Sequence, residues 1–263
     1  MSFYNLVYNQ DPPERRDGYF RQALIVCPDR ATSDLFFRYI QDQLELSEKA
    51  HFKELRRLSP QIWTWAGKNN TYEIEYACEA VNLGYAKGRR QHLEKLQGRV
   101  FMRSLANANT LTIGPAILPR LEDLADHISG NVFCIRNQRV PDRYWLKPDV
   151  TNNNPGKKPV QPSNDQRSRF KIEVSKQHQP GTLMVEDDDV RMFLVHDNVD
   201  YLIKKAKDGR LTTNEGDEPF VFRFGRLLNG GFLSEYASDK QKYIWYTPGD
   251  EKSSLSGEIW ELC

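Results

Sequence analysis

Basic and aromatic side chains are interleaved in one short segment near the middle of the chain. The segment holds Arg136, Arg139, Arg143, Tyr144, Trp145 and Lys147. Cations neutralise phosphates and aromatic rings stack on bases, and single-stranded nucleic acid requires both. We therefore predict a non-enzymatic binding or assembly protein that contacts single-stranded nucleic acid or a ribonucleoprotein complex. A solvated basic segment of no special function has the same composition and is the competing interpretation.

A second set of residues points to group-transfer chemistry. His196 ends a predicted strand, and Tyr236 and Glu258 follow near later strand segments. This order resembles that of the His–Tyr–Glu class of ADP-ribosyltransferases, although the glycine that usually follows the histidine is missing. The resemblance implies an enzyme centred on His196, with Tyr236 and Glu258 as the other candidate catalytic residues. A histidine that merely ends a strand is the alternative, so the question of an enzyme stays open.

Other chemical signatures are missing from the sequence. No two histidines are three or four residues apart, so no zinc motif is present. The acidic run 186–189 offers oxygen ligands, but consecutive carboxylates diverge, and we interpret the run as a solvated turn. The chain has no glycine-rich phosphate loop and no GxSxG sequence around a nucleophilic serine. We therefore expect neither a metal nor a cofactor.

The bulk composition is that of a folded protein without a strong charge preference. The chain has 263 residues, a formal net charge of +1 and a mean hydropathy of −0.69. Its four cysteines lack a CxxC motif, which favours free thiols in a reducing compartment, and we expect a cytoplasmic protein without a membrane partner. A protein–protein interaction module is a further possibility, with Trp63, Trp65, Tyr144 and Trp145 as its anchors.

A polar, proline-bearing stretch divides the chain. Residues 149–182 contain few apolar side chains, and we interpret them as a linker or an insertion loop. Residues 1–148, in which strands alternate with helices, are predicted to form a mixed α/β part. Residues 183–263 are predicted to form an antiparallel, β-rich part with one helix, and they are acidic. The fold class expected from this order is α+β.

Apolar periodicity predicts the individual elements. The continuous run 23–27 predicts a buried strand, and helical spacing predicts a helix over 35–44. Further helices are predicted over 51–58, 74–85, 93–100, 119–127 and 199–206, and further strands over 110–113, 131–140 and 190–195. Asn229 and Gly230 predict a two-residue hairpin turn in which both residues have positive φ.

Overall fold

The fold is taken from a computed structural model, which describes residues 2–10, 22–67, 72–105, 125–148, 150, 158–175, 181–214, 217–236, 241–247 and 257–263. The chain divides into two compact units, Met1–Glu122 and Asp123–Cys263. The structure is 44% β-strand and 19% helix, and its strands lie in several sheets. The expected α+β class is therefore wrong, because the protein is mainly β.

The first unit contains one five-stranded sheet. Its strands are β1 (Phe3–Asn9), β2 (Gln22–Cys27), β3 (Phe52–Ser59), β4 (Ile62–Gly67) and β5 (Phe101–Ser104). Their order in the sheet is β3-β4-β1-β2-β5. Strand β1 runs parallel to β4 and antiparallel to β2, so the first strand of the unit lies at the centre of its sheet.

Three helices are described in the first unit: α1 (Arg30–Gln43), α2 (Glu73–Leu83) and α3 (Arg90–Leu96). Asp29 caps α1 by accepting the N–H of Thr32 at 2.8 Å. Phe37 of α1 packs edge-on against Trp63 of β4, with the ring centroids 5.0 Å apart. Trp63 and Trp65 are both buried, which makes them core residues of this unit rather than interface anchors.

The second unit contains two larger sheets. The first has β6 (Val132–Phe133), β10 (Arg169–Val174), β11 (Asp189–His196), β12 (Val199–Leu202) and β16 (Val221–Arg223), ordered β12-β11-β10-β6 with β16 also paired to β11. The second, here the four-stranded sheet, has β7 (Ile135–Asn137), β8 (Tyr144–Leu146), β9 (Gln161–Ser163) and β19 (Trp260–Leu262), ordered β19-β7-β8-β9.

Shorter elements complete the second unit. They are β13 (Lys204–Lys205), β14 (Leu211–Thr212), β15 (Glu218–Pro219), the paired strands β17 (Phe232–Tyr236) and β18 (Lys242–Tyr246), and helix α4 (Phe224–Leu228). One hydrophobic core joins the sheets of this unit, and aromatic rings dominate it. Trp145 lies edge-on to Phe170, Phe232 and Trp260, with centroid distances of 6.0, 5.2 and 5.6 Å.

Three element predictions are wrong for physical reasons. The predicted helix 51–58 falls almost entirely in strand β3, because Phe52–Ser59 pairs with β4 across a two-residue connection. Residues 199–206 form strands, since Asp197 and Asn198 adopt φ of 48° and 61° and turn the chain back as a hairpin. Asn229, with φ of −125°, ends α4 instead of forming a hairpin turn, although Gly230 has the expected positive φ of 84°.

Two strands lie inside the polar range 149–182. Phe170 and Ile172 of β10 are buried between β11 and β6, while the alternate side chains of β10 are polar. Val160 is also buried in the core of the second unit. The boundary between the two compact units falls earlier, between residues 122 and 123. The predicted strand 110–113 and most of the predicted helix 119–127 lie outside the described residues.

Candidate nucleic-acid interface

Strand alternation divides the basic–aromatic segment between two faces of the four-stranded sheet. Arg136 of β7 lies directly opposite Tyr144 of β8, and such cross-strand partners share a face. The row extends on that face to Ser163 of β9 and to Glu261 of β19. We call Glu261, Arg136, Tyr144 and Ser163 the arginine–tyrosine row. All of its members are half-buried, so the row is open to solvent.

Arg167 covers the aromatic ring of this row. Its guanidinium carbon is 5.5 Å from the centroid of the Tyr144 ring, and the Arg167 side chain is exposed. A guanidinium held over a ring is a cation–π pair. Planar guanidinium groups and aromatic rings are also the two surfaces on which unstacked bases pack. The pair therefore offers one positive charge and one stacking platform at the same place.

The loop between β7 and β8 holds Arg139 at its tip. Asn137 is buried, and its Oδ1 accepts the N–H groups of Arg139 and Val140, each at 3.0 Å. The N–H of Arg143 then donates to the carbonyl of Val140 at 2.9 Å. An asparagine side chain that bonds the following backbone fixes a turn. The turn places Arg139 in solvent, where it makes no ion pair with any described residue.

Two arginines of the segment are partly neutralised. Arg136 Nε lies 2.5 Å from Glu261 Oε1, and this hydrogen bond raises the pKa of Arg136 above its ordinary value. Arg143 Nη1 lies 3.4 Å from Glu258 Oε1, which also accepts from Ser234 Oγ at 2.9 Å. Sequence reasoning missed Glu261 as a site residue, since it lies 125 positions from Arg136.

Two residues of the predicted site are buried. Trp145 has no exposed surface and belongs to the aromatic core, and Lys147 is 2% exposed. The N–H of Lys147 donates to Ser168 Oγ at 2.9 Å, which ties the end of β8 to the following segment. Neither side chain can reach a nucleic acid while the unit is folded. Because side chains alternate along a strand, Trp145 points to the opposite face from Tyr144 and Leu146, and this alternation is the sequence signal that it belongs to the core.

Two of the candidate catalytic residues, His196 and Glu258, have separate partners. His196 ends β11, and its Nε2 lies 3.4 Å from Asp197 Oδ2. Glu258 contacts Arg143 and Ser234, while Tyr236 ends β17 opposite Lys242. In the part of the chain that the structure describes, no hydrogen bond or ion pair links His196 to Glu258. The arrangement therefore gives no support to group-transfer chemistry.

The acidic run 186–189 has a structural role. Asp188 is 8% exposed, and its Oδ2 accepts the N–H of Val185 at 2.9 Å. Glu186 accepts from the side-chain amide of Asn229 at 3.2 Å. Among the residues described, no group of three or more His, Cys, Asp or Glu side chains is placed to hold a metal ion. Within the same residues, no helix is long and apolar enough to cross a membrane.

Known proteins offer few parallels. No family model matches the chain, and no curated protein matches it. Solved structures similar to part of it include a mutant of HCR/D (12% identity, TM-score 0.39, covering 52% of this chain and 42% of that one). The botulinum neurotoxin serotype D binding domain is also similar, with 11% identity and a TM-score of 0.36, covering 53% of this chain and 44% of that one. A third is the serotype D ligand binding domain in complex with N-acetylneuraminic acid, with 12% identity and a TM-score of 0.34, covering 53% of this chain and 44% of that one. The chain spans less than half the length of these structures.

Proposed function

We propose that this protein binds single-stranded nucleic acid, free or within a ribonucleoprotein complex, and does so without catalysing a reaction. The contact surface is the arginine–tyrosine row together with Arg167 and the loop tip at Arg139. One observation carries the proposal: the Tyr144 ring lies under the guanidinium of Arg167 and beside Arg136 on an open sheet face. A base can stack on this pair while neighbouring phosphates meet the arginines.

The electrostatics set the expected strength of binding. Arg139 and Arg167 are exposed, whereas Arg136 and Arg143 each lie beside a glutamate. Each phosphate contact to a single strand contributes about 0.7 to the slope of log affinity against log salt, so two free arginines give a slope near −1.4. Stacking of one base adds ~1–3 kcal/mol, which depends little on salt. We therefore expect moderate, salt-sensitive binding with little sequence preference.

The direct test is fluorescence anisotropy with a labelled, mixed-sequence single-stranded oligonucleotide, as RNA and as DNA, over a series of salt concentrations. The double variant Arg139→Glu, Arg167→Glu is expected to lose binding. The matched control is Arg89→Glu, Arg90→Glu at the start of α3, which makes the same change in charge at exposed positions of the first unit. Binding by this control should equal that of the unmodified protein.

Two results would overturn the proposal. One is the absence of salt-dependent binding to either oligonucleotide at low ionic strength. The other is equal loss of binding in both double variants, which would show that only net charge matters. In either case a protein partner becomes the better explanation of the exposed arginines, because arginine and tyrosine are also enriched at protein interfaces.

A further inference from the structure

Two cysteines face each other beside the arginine–tyrosine row. Cys134 precedes β7 and Cys263 follows β19, and they extend the pairing of those strands by one position beyond Ile135 and Leu262. The N–H of Cys134 donates to the carbonyl of Cys263 at 2.8 Å, and the N–H of Cys263 donates to the carbonyl of Cys134 at 3.0 Å. Two reciprocal bonds define a directly opposed antiparallel pair, whose Cα atoms are ~5.5 Å apart. Disulfides span Cα separations of ~4.4–6.8 Å.

The two cysteines lie on one face of the sheet, and neither residue is fully buried. Directly opposed residues share a face, so the side chains of Cys134 and Cys263 project to the same side. Both residues are half-buried, and Cys263 Sγ lies 3.5 Å from the carbonyl oxygen of Cys134. By contrast, Cys27 and Cys78 in the first unit are buried. Burial raises the pKa of the Cys27 thiol to about 12, so it is a poor nucleophile at neutral pH.

We propose that Cys134 and Cys263 form a dithiol modification site that a low-molecular-weight disulfide oxidises to a disulfide bond between β7 and β19. A thiolate of the pair attacks one sulfur of the small disulfide and bonds to it, which forms a mixed disulfide on the protein, while the other half of the small disulfide leaves as a thiolate. The second cysteine thiolate then attacks the protein sulfur of that mixed disulfide and expels the second small thiolate. The two protons released by the cysteines complete two small thiol molecules, so the small disulfide is reduced as the pair is oxidised.

The bond would fix the position of β19 in the four-stranded sheet. It closes a loop from Cys134 to Cys263, and closing a long loop removes many conformations from the unfolded chain. The oxidised second unit should therefore melt at a higher temperature than the reduced one. The site is independent of the proposed nucleic-acid binding, since its chemistry needs only the two thiols and an external disulfide.

Mass spectrometry of the full chain after incubation with oxidised glutathione tests the proposal. The expected product has lost two hydrogen atoms, and a digest should yield one cross-linked peptide that joins Cys134 to Cys263. The thermal midpoint should rise by several degrees on oxidation and return after reduction. Because partial burial raises the pKa of the Cys263 thiol above its ordinary value, the rate of the reaction should increase as the pH is raised.

Matched variants separate this pair from the other thiols. Cys134→Ser should lose the cross-link and the rise in melting temperature, and it should instead retain glutathione on Cys263. The double variant Cys27→Ala, Cys78→Ala should keep the cross-link, and its own thermal midpoint should still rise on oxidation. A fully oxidised sample that carries glutathione separately on Cys134 and Cys263, or disulfides between chains only, would overturn the proposal.

Discussion

Arg136 and Glu261 lie opposite each other on antiparallel strands, and Nε of the arginine is 2.5 Å from Oε1 of the glutamate. Their side chains are 21% and 31% exposed, so this ion pair sits at the edge of solvent and stabilises the fold by ~0–1 kcal/mol. Its larger effect is on the charge of the surface, because the glutamate neutralises one of the four arginines near Tyr144. The carboxylate therefore limits how strongly the arginine–tyrosine row attracts an anion.

Glu261→Gln should strengthen the proposed nucleic-acid binding. The amide keeps the size of the glutamate and removes its charge, so the arginine–tyrosine row gains one net positive charge. The slope of log affinity against log salt should then become steeper by about 0.7. Anisotropy titrations at several salt concentrations measure it. Glu94→Gln, which breaks the exposed pair with Arg90, is the control and should change nothing. An unchanged slope in Glu261→Gln would mean that Arg136 does not face the ligand.

Tyr144→Leu should weaken binding without changing its dependence on salt. The leucine removes the stacking ring but no charge, so affinity should fall by ~1–3 kcal/mol at every salt concentration. Tyr144→Phe retains the ring and should bind almost as well as the unmodified protein. The same anisotropy titrations compare the three proteins. Equal losses in the leucine and phenylalanine variants would indicate that the hydroxyl, and not stacking, makes the contact.

Trp145→Ala should act on stability alone. The indole has no exposed surface, and its loss leaves a cavity among Phe170, Phe232 and Trp260, with an expected cost of ~3–5 kcal/mol. Urea denaturation followed by circular dichroism measures the free energy of unfolding. Trp245→Ala, at a half-buried position of the same unit, should cost clearly less. Comparable costs for the two variants would contradict the placement of Trp145 in the core.

Gly225→Ala should destabilise the second unit through a steric clash. A Cβ at this position of α4 would lie 2.9 Å from Glu186 Cβ and 3.0 Å from its carbonyl oxygen. Such overpacking costs ~1–3 kcal/mol. A Cβ at Gly130 would meet no atom within 4 Å, so Gly130→Ala should reduce stability only by the strain of an alanine in the left-handed conformation, about 1 kcal/mol. The free energies of unfolding of the two variants test this prediction. A smaller loss of stability in Gly225→Ala than in Gly130→Ala would show that Glu186 moves aside.

Local periodicity predicted part of the fold. The apolar run that forms β2 and the helical spacing that forms α1 are both found in the structure. The error at β12 arose because Val199, Leu202 and Ile203 have helical spacing, which favoured a helix over a strand. Only the left-handed conformations of Asp197 and Asn198 decide between the two, and neither residue requires them. Strand β10 was not predicted, since its alternate positions Arg169, Lys171 and Glu173 are charged.

The candidate site was predicted as a segment, whereas the structure builds it as a row across strands. Arg136 and Tyr144, which are close in the sequence, are paired in register. Proximity in the sequence did not separate Trp145 from them, because it ignores the alternation of side chains along β8. The role of Glu261 could not be predicted from the sequence, since its pairing with Arg136 is a property of the tertiary fold and not of any local pattern.

Strand β7 is synthesised long before β19, the strand with which it pairs. Arg136 is added to the nascent chain 125 residues before its partner Glu261. At a translation rate of roughly 5–20 residues per second, the edge of β7 waits about 6–25 s for the strand that covers it. During that interval the nascent chain displays an unpaired strand edge and lacks Trp260, a fully buried ring of the core. Unpaired strand edges promote aggregation, so the edge of β7 is the part of the second unit most exposed to it before β19 is synthesised.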